Sequence, residues 1–297
     1  RGGGRKQFYA ETEADPEYTG RTGMRRDGRN LHQEWLAKYP QSAYVWNKQL
    51  FDEIDPKKTK YLLGLFEPSH MRYEADRAQD IAGEPSLAEM TQKAIAMLQQ
   101  HKKGFYLMVE GGRIDHAHHA GNAYRALTDA IALSDAVKAA TAMTDPRDTL
   151  IVVTADHSHT FIIAGYPERG NPILGKTRAN GELSTDTMGL PYTTLGYANG
   201  PGFTGGKNRR EFNGKSESAM AATYKGTAAR PDLSDVDTAS PAYMQEATVP
   251  LASETHGGED VGIYALGPNA HLFRGVQEQH IIYHIMTDAL GLNQQNK

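Results

Sequence analysis

Two apolar runs, "GFYLMVEGG" (residues 104–112) and "DTLIVVTADHSH" (148–159), bracket one long segment, "NAYRALTDAIALSDAVKAATAM" (122–143), whose apolar residues recur at helical spacing. A strand that is apolar on both sides must be covered on both faces, since water can solvate neither. Alternating strand and helix of this kind predict an α/β fold, with a largely parallel central sheet flanked by helices on both faces. Other segments agree. "KYLLGLFEP" (60–68) is a short apolar run stopped by Pro68, hence a buried strand, and "DVGIYALGP" (260–268) is another. "SLAEMTQKAIAMLQQ" (86–100) opens on Ser86 with Glu89 three residues on, the signature of a capping box. "DGRNLHQEWLAKYP" (27–40) predicts a helix that starts at Asp27 or Asn30 and stops at Pro40, and "GVQEQHIIYHIMTDAL" (275–290) predicts a closing helix.

Composition removes several classes of function. The 297 residues can bury a large core as one domain, with or without an insertion. A net charge of −4 gives no electrostatic case for nucleic acid or an anionic membrane surface. No apolar run approaches the roughly 18 residues of a membrane span. The polar end "LGLNQQNK" is unlike a lipid-anchor signal. With no cysteine there are no zinc ribbons, disulfides or thiolate nucleophiles, so any metal must be held by His, Asp and Glu. The opening "RGGGRKQFY" has no Met and no signal-peptide pattern, and predicts a loop entered in mid-fold. The expectation is therefore the C-terminal part of a longer protein. From about 176 to 250 polar residues and glycine dominate, while Tyr192, Tyr197, Phe203 and Phe212 persist; this predicts an irregular insertion of short strands and loops.

The chemistry concentrates in "EGGRIDHAHHAGN" (110–122). Asp115 and His119 stand four residues apart, so a helix places both on one face, and His116 and His118 point elsewhere. By itself such a pair is an ordinary surface contact. Asp156 and His157 end a buried strand, Glu110 ends another, and His256 precedes a third within "SETHGGED" (253–260). In parallel sheets ligands sit beyond the carboxyl ends of the strands, where the polar clusters at 110–119 and 156–159 lie. Imidazole with carboxylate and no thiolate suits zinc, and all-oxygen ligation suits magnesium. A mixed site supports hydrolysis at phosphorus by polarising phosphoryl oxygens and lowering the pKa of water.

"GLFEP", "GFYLMVEGGRIDHAHH", "DTLIVVTADHSH" and "ETHGGEDV", in this order, resemble the alkaline phosphatases, the animal and animal-like bacterial members most of all. "RDGRNLHQEWLAK", "YANGPGF", "ARPDL" and "GVQEQ" extend the resemblance over nearly the whole chain. It implies that Asp115, His119 and His256 hold one zinc, that Asp156 and His157 hold a second, and that Glu110 binds magnesium. His159 matches a histidine just behind the metals. A calcium site of Glu67, Glu84 and the Phe66 carbonyl is also implied. The family's nucleophilic serine, its phosphate-gripping arginine and the remaining metal ligands belong to an N-terminal part that has no match here. The resemblance thus implies residues 1–297 as the C-terminal part of one catalytic domain, supplying most of the metal cage but no nucleophile. The 176–250 insertion becomes a crown-like region near a dimer interface. Ser253 stands where animal members often carry an acidic residue. The complete protein is expected to be a periplasmic or secreted homodimer that hydrolyses small phosphomonoesters through a phosphoserine at alkaline pH.

Rival readings remain open at this point. A phosphodiesterase or sulfatase-like relative would share the same metal core, and the isolated chain could be a catalytically silent metal-binding domain. "GNPILGKT" (170–177) fits a phosphate-loop pattern, but Pro172, Ile173 and Leu174 fill its cradle and a poor helix former follows. His280 and His284 share a face of the last helix with no carboxylate between them, which predicts packing or surface roles.

Overall fold

The computed structural model describes residues 2–204 and 230–292; Phe212 and the middle of the expected insertion lie outside the described residues. In chain order, α1 (Leu31–Lys38), β1 (Ser42–Val45), α2 (Lys48–Asp52) and β2 (Tyr61–Gly64) come first. They are followed by α3 (Leu87–Leu98), α4 (Arg113–His119), α5 (Ala123–Met143) and β3 (Ile151–Val153). Then come β4 (Ser158–His159), β5 (Phe161–Ile163), β6 (Arg178–Ala179), β7 (Glu182–Leu183), β8 (Leu195–Gly200) and β9 (Ala247–Pro250). Finally β10 (His256–Gly257) and β11 (Tyr264–Leu266) lead to α6 (Ile281–Ala289). The chain is of the α/β class, with no closed barrel among the described residues.

Local chemistry explains where the helices begin. The Asn30 side chain, not Asp27, caps α1 by accepting from the Gln33 amide. Ser86 and Glu89 close the expected capping box on α3, and Asn122 accepts from the Arg125 amide to start α5. A first core forms where the parallel β1–β2 ladder meets α2, with Val45, Phe51 and Phe66 buried and the two rings edge-on at 5.8 Å. A second joins α4 to α5 through Ala117, Ala120 and Ala126, whose small side chains let the helices approach closely, with the Tyr73 ring in the same cluster. Between these helices Gly121 adopts φ +64°, a left-handed turn that costs a glycine nothing.

The strand expected over 104–112 is corrected. Residues 105–110 alternate in exposure, as a strand does, yet they form no strand and pair with none among the described residues. Tyr106 and Met108 are 60 % and 69 % exposed. A ladder needs a neighbour, and beside this segment lies a cleft of about 2560 Å³ instead. The strand expected over 148–159 is broken into β3, which pairs antiparallel with β11, and the two-residue β4, which pairs with β10, and α6 starts only at Ile281, beyond the left-handed Gly275. Parallel pairing is seen in β1–β2 and β8–β9. Within the expected insertion the described residues form the short β6–β7 hairpin, β8 and β9, with β8 between β5 and β9. No helix among the described residues is long and apolar enough to cross a membrane.

Candidate metal centre

Three local structures aim side chains at one point. Helix α4 starts directly after Gly112 and carries Asp115 in its first turn and His119 in its last. The antiparallel β4–β10 pair places His256 opposite His159, and His157 immediately precedes β4. As a result the Nε2 atoms of His159, His119, His256 and His157 lie 3.2, 3.3, 3.4 and 3.9 Å from Asp115 Oδ1. His119 and His256 bring their Nε2 atoms within 3.2 Å of each other, and the His157 and His256 rings stack at 3.5 Å.

The outer nitrogens decide what these imidazoles can do. His119 Nδ1 donates to the Glu254 carbonyl at 2.6 Å, and His157 Nδ1 to the Ser158 carbonyl at 3.2 Å. His159 Nδ1 donates to Glu254 Oε2 at 2.8 Å. A carbonyl oxygen can only accept, so the ring proton sits on Nδ1 and the inward Nε2 carries a lone pair in the neutral ring. Glu254 is 1 % exposed. Burial opposes its ionisation, but bonds from His159 and from the Thr160 amide and hydroxyl outweigh that, so the carboxyl stays below its usual range. Lone pairs converging on a carboxylate oxygen have nothing to share except a cation, and Asp115 Oδ1 is buried without a hydrogen bond. The donors fall into overlapping triads: Asp115, His119 and His256; Asp115, His157 and His159; His119, His159 and Glu254. Within each triad the ligand atoms lie within 4.8 Å of one another. Imidazole and carboxylate donors with backed-up Nδ1 atoms fit zinc.

Of the residues singled out in the sequence, the structure gathers Asp115, His119, His157 and His256, and it places His159 as near to Asp115 as any of them. Glu110 and Asp156 line the same cleft but join none of these triads. The Asp156 side chain is 83 % exposed, with Oδ2 3.5 Å from His157 Nε2. His118 turns away as expected: its Nδ1 lies 2.9 Å from the Tyr197 hydroxyl and its ring stacks on His159. Burial, together with the neighbouring His159, holds its pKa down at about 4, so it supports the cluster as a neutral ring. His116 faces His70, at 4.2 Å between rings. Sequence reading missed Glu254. Its position three residues before Gly257 is unremarkable, and only the fold shows it backing two histidines at once.

A second cluster lies apart from the first. Glu17, Glu67 and Asp80 are buried and bring carboxylate oxygens within 4.8 Å of one another. Arg5 reaches Glu17 at 2.8 Å and Arg72 reaches Glu67 at 2.9 Å, but neither Asp80 oxygen, nor Glu17 Oε1, has a hydrogen-bond donor. Burial and the adjacent Asp80 push Glu67 up to about 7. All-oxygen donors with orphaned buried atoms fit a hard cation such as calcium. Of the calcium residues expected from the sequence, Glu67 belongs to this trio. Glu84 does not: it accepts from the Arg72 amide at 2.7 Å, and burial pushes it to about 8. The Phe66 carbonyl accepts from Arg5 Nη1. Glu17 and Asp80 escaped the sequence reading because both sit in irregular polar stretches without periodicity.

The decoys resolve simply. After "GNPILGKT" comes the β6–β7 hairpin, not a helix, and Lys176 donates to the Ser234 carbonyl. His280 and His284 are exposed at the start of α6.

The sequence profile of the alkaline phosphatase family matches residues 1–292. The chain belongs to the alkaline phosphatase family. It is 43 % identical to an alkaline phosphatase of Gadus morhua over 298 aligned positions, covering 99 % of this chain and 57 % of that protein. It is also 43 % identical to the tissue-nonspecific alkaline phosphatase of Gallus gallus, covering 97 % of this chain and 52 % of the relative. The chain therefore spans little more than half the length of these relatives. Among solved structures, a cold-active alkaline phosphatase from a psychrophilic Shewanella superposes with a TM-score of 0.54 at 23 % identity, covering 97 % of this chain and 64 % of the other. The TAB5 alkaline phosphatase superposes with a TM-score of 0.53 at 18 % identity, covering 90 % and 57 %. These two likenesses concern the fold alone.

Proposed function

We propose that this chain supplies the metal cage of a phosphomonoesterase, with two zinc ions and one magnesium ion. Asp115, His119 and His256 hold the first zinc, Asp156 and His157 the second with His159 beside it, and Glu110 binds magnesium. When bound, such ions polarise a phosphoryl oxygen and neutralise charge at the attacking and leaving oxygens. The chain's own residues keep the imidazoles in place: Glu254 fixes His119 and His159 from behind, and the α4–α5 alanine contact fixes Asp115. The nucleophile is a serine of the family's N-terminal part, which forms a phosphoserine that is then hydrolysed. Residues 1–297 are accordingly the C-terminal part of that catalytic domain, with 176–250 as its crown-like insertion, and the chain alone turns over phosphomonoesters negligibly.

The observation that carries this reading is the convergence of four inward imidazole nitrogens on Asp115 Oδ1. Glu17, Glu67 and Asp80 form the calcium site that the sequence placed at Phe66, Glu67 and Glu84. The complete protein is a periplasmic or secreted homodimer acting on small phosphomonoesters. Metal analysis of the purified chain after zinc loading and desalting tests the cage. About two zinc ions per chain are expected, and a metal-free result would refute it.

A further inference from the structure

"YANG" (residues 197–200) belongs to the stretch "YANGPGF", to which the functional reading gives no task. These residues end β8, a strand paired on one side with β5 and on the other with β9. Side chains two apart along a strand share a face, so Tyr197 and Asn199 point the same way. Each reaches the residue immediately before a candidate zinc ligand: His118 precedes His119, and Thr255 precedes His256.

Tyr197 is 2 % exposed, and its hydroxyl lies 2.9 Å from His118 Nδ1. Burial pushes the phenol's pKa well above its usual value, so the hydroxyl keeps its proton and can donate to that nitrogen. Phe161, the partner of Tyr197 in the β5–β8 ladder, brings its ring within 5.0 Å of His118. On its other contact the His118 ring stacks on His159 at 4.6 Å, and His159 aims Nε2 at Asp115 Oδ1. Asn199 acts on the second ligand strand. Its Nδ2 donates to Thr255 Oγ1 at 2.8 Å, and its Oδ1 accepts from the Thr255 amide at 3.0 Å. Side chain and backbone of the residue between Glu254 and His256 are thereby fixed together.

The two remaining residues complete the contact. The Ala198 amide donates to the Thr160 carbonyl at 2.9 Å, and Thr160 in turn donates to Glu254. Gly200 lets the strand come close: its φ is +135°, and a Cβ there would stand 3.2 Å from Glu254 Cβ. Four consecutive residues thus touch four residues beside or behind the histidines. This support is needed, because β4 and β10, which carry His159 and His256, are two residues long each and too short to hold their register alone.

We infer that β8 is the seat of the metal cage, and that Tyr197 and Asn199 are positioning residues that set its zinc affinity through His118 and Thr255. The inference rests on the zinc reading of Asp115, His119, His157 and His256, and adds to it a strand that supplies no ligand.

The test measures zinc affinity by competition with a chelator, alongside metal-free melting, in the 297-residue chain and its variants. Tyr197→Phe removes the hydroxyl alone. It acts one residue further out than partners worth about 10–100-fold, so zinc should bind roughly three- to tenfold more weakly at unchanged stoichiometry. Asn199→Leu removes both bonds to Thr255 and should cost about tenfold or more. Asn199→Asp should restore the parent's affinity, since a carboxylate accepts from the Thr255 amide and from its hydroxyl together. Asn199 is less deeply buried than Tyr197, so its variants keep the test open where Tyr197→Phe melts early. A strand that served folding alone would lower the melting temperature of these variants and leave the zinc affinity of the folded chains unchanged. That result overturns the inference, as does equal loss in Asn199→Asp and Asn199→Leu. A parent chain that takes up no zinc refutes the metal reading and the inference with it, whereas parent uptake with unmoved variant affinities refutes the role of β8 alone.

Discussion

His256 faces His159 across the antiparallel β4–β10 pair, and both rings point Nε2 at Asp115 Oδ1, at 3.4 and 3.2 Å. Ninety-seven residues separate the two histidines in the chain (256 − 159). The register of this short ladder therefore aligns ligands that come from distant segments. A slip of one residue would put Gly257 opposite His159 and turn His256 to the other face.

His256→Ala should remove one zinc and leave the other. Its side chain is half exposed, so truncation leaves no buried hole and the fold should persist. Because even outer partners of a ligand are worth roughly 10–100-fold in affinity, losing the ligand itself should cost at least about 100-fold at that ion. Zinc per chain measured after dialysis against a weak chelator should fall from about two to about one. Unchanged stoichiometry would remove His256 from the cage.

Glu254→Gln separates holding the rings from holding the ion. The carboxylate accepts from His159 and Thr160 together, while its backbone carbonyl accepts from His119 and is untouched by the change. An amide keeps one acceptor but loses the negative charge that holds the His159 Nδ1–H and keeps the ring aimed at Asp115. A loss of roughly 10–100-fold in zinc affinity is expected with stoichiometry preserved. Competition with a fluorescent chelator measures it, and parent-like affinity would confine Glu254 to packing.

How much of this was legible in the sequence depended on whether the signal was local. The α3 capping box and the long α5 helix were readable because their cause lies within a few adjacent residues. Asp115 and His119 were readable for the same reason, as a helical pair. The strand at 105–110 failed because "FYLMVE" states a preference for being a strand, whereas a strand exists only when something pairs with it. Glu254, Glu17 and Asp80 were invisible because their roles come from long-range approach: Glu17 meets Glu67 across fifty residues of chain (67 − 17).

Asp129 gives a pH dependence that is independent of the metals. It lies buried on α5, where it accepts from the Glu74 amide at 3.2 Å. Burial pushes its pKa up from 3.8 to about 7, opposed by that amide and by Arg113. The folded state therefore holds the proton more tightly than the unfolded chain. Its contribution is fully present below pH 3.8, is lost as pH rises to about 7, and is absent above that. Asp129→Asn, whose amide oxygen can still accept from Glu74, should be more stable than the parent at pH 8 by on the order of 1–3 kcal/mol. The difference should shrink toward zero near pH 4. Calorimetric melting of both proteins across this range checks the sign, and a gap independent of pH would refute a titrating Asp129.

Calcium should act through Glu17, Glu67 and Asp80. Three carboxylates held this close repel one another, and Arg5 and Arg72 are both engaged at the trio's edge, at 2.8 and 2.9 Å, leaving the Asp80 oxygens without donors. A divalent oxygen-seeking ion would relieve that repulsion in the folded state and find no such cluster in the unfolded chain. Calcium at 100 times its dissociation constant should therefore stabilise the fold by about 2.7 kcal/mol, seen as a higher melting temperature that saturates with added ion. Asp80→Asn should lose most of that response and, because it lowers the repulsion, melt no earlier than the parent in chelator. An undiminished calcium shift in this variant would mean that the ion binds elsewhere.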